Sequence, residues 1–236
     1  MKDSALPARK TERPSHQFRT FERRAAAVAI ISGSLFLALL VILHVLEPEF
    51  NPIWRFVSEY ELGPYGWMMR LAFFCLGCGC VAVFIALRTQ LPTTSGKVGL
   101  SLLLAAGASL FLTALFAPDP VTVGAGETTR HGSTHSLASV LAGVSFALAA
   151  TMITRSWRRD AARVPAKALH WIGQLPWMAF ILTYATLFVM TPGNGGKLGP
   201  GVWIGWPTRL LVVSIAAWTI AAACQVQRLD TIRQPS

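Results

Sequence analysis

Six apolar blocks, each close to the roughly 20 residues that cross ~30 Å of hydrocarbon, constrain this chain more than any other feature. They cover about 25–46, 65–87, 98–117, 131–153, 168–190 and 207–226. A backbone in lipid must satisfy its own hydrogen bonds, so segments of this length are helices. The expected fold class is all-α: a polytopic membrane protein built as a six-transmembrane-helix bundle. Composition agrees, with 53% hydrophobic and only 14% charged residues, far from the average of a soluble domain. Residues 1–24 are polar and basic and read as a disordered tail that can touch anionic lipid. They are too long and polar for the start of a cleavable signal peptide. Residues 227–236 read as a second short tail.

The formal charge of +10 suggests nucleic acid until its distribution is considered. Seven Lys and Arg lie in the N-terminal tail, two in 88–97, five in 155–167 and two after 226; five others (Arg55, Arg70, Arg130, Lys197, Arg209) belong to the opposite side. The positive-inside rule then places both termini in the cytoplasm, and no nucleic-acid partner is needed. The expected location is the bacterial inner membrane. Cys75, Cys78, Cys80 and Cys224 lie inside apolar blocks and read as packing residues. Pro176 falls inside the fifth block and is expected to kink it.

With that orientation, most ionisable residues inside or beside the spans fall in one outward layer. His44 closes the first span. Ser58, Glu59 and Tyr60 precede the second. Asp119 follows the third, His131 and His135 open the fourth, and Arg209 enters the sixth. Charge at membrane depth is costly and usually faces a bundle interior or a wet cavity. A polar, outward-facing site is therefore expected.

Several chemistries fit such a site. His131 and His135 are four apart and share a helix face. With His44 and Asp119 they form a candidate zinc shell with an open position for an acidified water. Glu59 is then the candidate general base, with Ser58 beside it. Arg209 is placed to hold an anionic head group. The substrate expected is a lipid or another amphiphile. His44 and His135 can instead clasp a haem. The same groups can line a pocket that binds or transports a small amphiphile, or simply fix helix packing, with Glu59 and Arg209 as an interhelical ion pair and Asp119 capping a turn. Transport calls for polar residues continuing to the inner surface, and few are present. The Gly-rich GNGGKLGPG lacks the context of a phosphate loop, and no nucleophile elbow occurs. Oligomeric state is not encoded legibly.

SEYELGPYGWMM at 58–69, FAPD at 116–119, HGSTH at 131–135 and GWPTRLL at 205–211 together resemble the family of six-pass bacterial and archaeal membrane proteins known as domain of unknown function 998. The likeness covers roughly residues 25–226. It implies a six-helix membrane fold and singles out Ser58, Glu59, Gly63, Asp119, His131 and Arg209. It implies no activity.

Overall fold

The computed structural model describes residues 16–124, 126–158, 167–195 and 197–232. Helix α1 spans His16–Leu46, α2 Gly66–Leu87, α3 Thr94–Leu115, α4 Arg130–Arg158, α5 Lys167–Ile172, α6 Leu175–Gly193 and α7 Gly205–Ile232, with a 3-10 turn at Val57–Leu62 between α1 and α2. Six stretches are long and apolar enough to cross a membrane: Thr20–Leu46, Gly66–Leu87, Thr94–Leu115, Arg130–Trp157, Leu169–Gly193 and Gly205–Leu229. No strand occurs among the described residues.

Both outer helices extend past their apolar blocks. α1 begins inside the stretch expected to be a polar tail, and α7 continues to Ile232. The expected tails at 1–15 and 233–236 and the basic connection at 159–166 lie outside the described residues. The fifth span is not one kinked helix. α5 stops at Ile172, Gly173 and Gln174 form a turn, and α6 restarts with Pro176 in its first turn. Proline has no N–H to donate and clashes with the preceding turn, but it suits a helix start, where that N–H has no intrahelical partner.

The helices close into a ring. α1 packs on α2, α2 on α3, α3 on α4, α4 on α6, α6 on α7, and α7 back on α1, while α2 also touches α7 across the ring. Small residues let backbones approach. A Cβ at Gly77 of α2 would come 2.8 Å from the Phe111 ring of α3, and one at Gly107 of α3 3.2 Å from the Cys80 Cβ. Phe36, Leu43, Met69, Leu76, Leu103, Phe146, Trp157 and Trp218 form the buried core. The outer surface is apolar as well, as a bilayer requires: Val45, Leu115, Phe188 and Val189 are mostly exposed. α6 is the loosest member, with 28% of its apolar window buried against 61% for α2.

Three connections, 47–65, 116–129 and 194–204, meet at one end of the bundle. The Gly205 N–H donates to the Ile53 carbonyl at 2.9 Å. The Val121 N–H donates to Glu59 Oε1 at 2.8 Å.

Candidate functional site

Arg209, one turn into α7, organises that end. It is 3% exposed. Its Nε–H donates to His44 Nε2 at 2.9 Å, linking residues 165 apart in sequence. Nη1 donates to the carbonyls of Arg55 at 2.8 Å and Gly205 at 3.1 Å. Nη2 donates to the Tyr60 hydroxyl at 3.3 Å, and the guanidinium lies 5.4 Å from the centre of the Tyr60 ring. No carboxylate pairs with it among the described residues.

These contacts fix the state of His44. An arginine can only donate, so His44 Nε2 accepts. His44 Nδ1 lies 2.7 Å from the Leu40 carbonyl, which can only accept, so Nδ1 carries the proton. The imidazole is neutral, and both its nitrogens are committed.

Glu59 is fully buried, and its ion-pair partner is Arg55 at 3.3 Å, one helical turn earlier. Its other contacts come from backbone: Phe56 N–H at 2.9 Å and Val121 N–H. Burial raises its pKa, opposed first by the Val121 bond and then by Arg55. Glu59 thus ties the 47–65 connection to the 116–129 connection. Two neighbouring carboxylates are also buried. Glu47 accepts from the Tyr65 N–H at 2.6 Å, and burial outweighs that bond, raising its pKa. Glu61 pairs with the Arg70 side chain at 3.5 Å. Burial pushes its pKa up to about 8 against that attraction.

Asp119 holds the start of α4. Its carboxylate accepts from the Thr129 N–H and hydroxyl, both at 2.8 Å, and the Thr129 hydroxyl accepts from Gly132 N–H at 2.9 Å. That is a capping arrangement. A Cβ at Gly132 would lie 2.1 Å from Asp119 Oδ2, so the glycine is what lets the carboxylate approach. His131 is exposed, with its ring 5.4 Å from that of Phe116. His135 is 2% exposed and donates from Nδ1 to the Phe116 carbonyl at 2.6 Å. Its Nε2 has no hydrogen-bond partner among the described residues.

Below the connections lies a cavity of about 300 Å³ among α2, α3, α4, α6 and α7, roofed by Phe56, Val57 and Ser58. Phe73, Leu110, Phe180, Leu211 and Ile215 make its walls mostly apolar. Thr113, Ser139, Thr183 and Thr208 add hydroxyls. Thr113, Thr183 and Thr208 donate to carbonyls of their own helices, which leaves their oxygen lone pairs for other donors.

Of the seven residues singled out from sequence, only Ser58 and His135 line this cavity. His44 and Arg209 meet each other, Glu59 joins two connections, Asp119 caps α4, and His131 faces outward. Among the described residues no three His, Cys, Asp or Glu side chains are grouped to hold a metal ion. The donor set therefore does not fit a zinc shell. Sequence reasoning gave no site role to Arg55, Glu47, Glu61 or the apolar part of the cavity wall. The i, i+4 spacing of Arg55 and Glu59 was the readable signal for the first; the others depend on contacts made only in the folded chain.

Fold and site together define a six-span membrane protein with an apolar cavity under a hydrogen-bonded cap of connections at one end. A family model described as a protein of unknown function, DUF998, matches residues 30–225, and the chain belongs to that family. No curated protein and no solved structure matches it significantly.

Proposed function

We propose that this protein is a non-enzymatic receptor for a small amphiphile, held with its apolar part in the cavity on the extracytoplasmic side of the bacterial plasma membrane. The observation that supports this reading is the cavity itself. Its volume of about 300 Å³ lies at the lower end of small-ligand sites, and its mostly apolar wall with a few convergent polar groups is their usual make-up. The excess of Lys and Arg in the termini and in 88–97 and 155–167 supports the orientation. Phe146, Ile153, Trp157 and Trp218 fill the bundle below, which favours a receptor over a conduit. A zinc-dependent hydrolase asks His44, Asp119, His131 and His135 to converge, and the donor geometry lends that alternative no support. Metal analysis of purified protein alongside a His131→Ala control would revive it if zinc were stoichiometric and lost in the variant.

The test is native mass spectrometry of the protein released from nanodiscs, reading which amphiphiles stay bound. Val212→Trp and Thr183→Leu both reduce the cavity from different helices. Each is expected to cut retention at least tenfold while the melting temperature stays within a few degrees. Unchanged retention in both folded variants overturns the proposal.

A further inference from the structure

A second hollow, of about 990 Å³, adjoins the first at the end of the bundle. Tyr184 and Leu187 of α6 belong to the walls of both. The second hollow differs in chemistry. Glu127 stands on the 116–129 connection and Lys197 on the 194–204 connection, and both face it along with the hydroxyl-bearing Thr122 and Thr191. Glu127 and Lys197 are exposed, and among the described residues neither makes an ion pair, with each other or with any other side chain. The backbone holds each in place: Glu127 N–H donates to the Gly124 carbonyl at 2.9 Å, and the Lys197 carbonyl accepts from the Asn194 side chain at 2.8 Å. The Thr191 hydroxyl is buried with no hydrogen-bond partner among the described residues.

Resting on the receptor reading above, we infer that the two hollows form one site for a zwitterionic single-chain amphiphile, its chain in the inner cavity and its head group between Glu127 and Lys197. The sizes fit that division. The inner cavity is too small for two long chains, and the outer hollow is roomy enough for a hydrated head. An anion meets Lys197 but is repelled by Glu127; a cation meets the reverse. Only a head carrying both charges is matched to both walls. Tyr184 borders both compartments; its body is apolar and its hydroxyl can bond the linking group.

The experiment offers the nanodisc-embedded protein an equimolar mixture of dodecylphosphocholine, dodecyl phosphate and dodecyltrimethylammonium and reads the retained species by native mass spectrometry. Wild type is expected to favour the phosphocholine by about twofold to fivefold over each singly charged competitor, the range that solvent-exposed charge pairs supply. Glu127→Gln is expected to abolish discrimination against the phosphate, and Lys197→Gln discrimination against the ammonium. The same ranking in wild type and both variants overturns the head-group assignment while leaving the cavity reading intact. If Val212→Trp and Thr183→Leu both leave uptake of all three chains unchanged, the receptor reading fails first, and this inference fails with it.

Discussion

Arg209 and His44 show how a buried cation is held by neutral acceptors. The guanidinium makes four hydrogen bonds to neutral acceptors, and each charge-assisted bond is stronger than a neutral one. Lysine cannot reproduce that planar fork. Arg209→Lys is therefore expected to destabilise the protein nearly as much as Arg209→Ala, by roughly 3 kcal/mol, read as a lowered melting temperature in detergent. At His44 the acceptor is what matters. His44→Gln keeps one and is expected to be mild, whereas His44→Lys sets a cation against the guanidinium and is expected to be severe. If the two variants melt alike, the neutral-acceptor assignment fails. The sequence placed both residues at the same depth but could not pair them, because the contact joins α1 to α7. The alternative pairing of Glu59 with Arg209 is replaced by a local one with Arg55, which lies just ahead of the 3-10 turn that carries Glu59.

Glu61 gives a pH dependence with a definite sign. Its folded pKa of about 8 exceeds the ordinary 4.5 because burial disfavours the charge. The folded state therefore binds the proton between those values while the unfolded chain does not. The stability this adds is complete below about pH 4.5 and is lost as pH rises through about 8. Glu47 and Glu59, also raised by burial, act in the same direction. Glu61→Gln keeps the shape and removes the titration. Its melting temperature is expected to fall less than that of wild type between about pH 5.5 and 8.5, and equal slopes would place the pH-sensitive group elsewhere.

Among the elements, the helices were far more legible than the connections. A run of about twenty apolar residues can only be a helix in lipid, so α2 and α3 begin and end close to the sequence boundaries. The 47–65 connection was marked only as unlikely to be slack, from its prolines and aromatics. One part of its seat is a close approach to α7: a Cβ at Gly205 would lie 2.2 Å from the Pro52 carbonyl oxygen, and the Gly205 N–H bonds the next carbonyl. No flexible side chain can yield there. Gly205→Ala is expected to lift this connection off α7, loosening the roof at Phe56–Ser58 and raising protease cleavage within 47–65. Unchanged cleavage would mean that Glu59 and Arg209 hold the connection without the glycine.

For the whole molecule, a ring of six spans leaves its loosest seam at α6, and both hollows border it. The cavity could not be read from sequence because it is formed by residues from five helices whose order around the ring no local pattern encodes. Orientation, by contrast, rests on charge counting alone: sixteen Lys and Arg against five. That bias supports the proposal that the hollows face outward, and the proposal can be checked one residue at a time. Glu127 on the 116–129 connection and Thr94 at the start of α3 are both exposed and mark opposite ends of the bundle. With Cys75, Cys78, Cys80 and Cys224 changed to alanine, an impermeant maleimide applied to intact cells is expected to label Glu127→Cys. Thr94→Cys should react only after the membrane is opened. The reverse pattern would turn the hollows to the cytoplasm, where any amphiphile they hold must come from the inner leaflet.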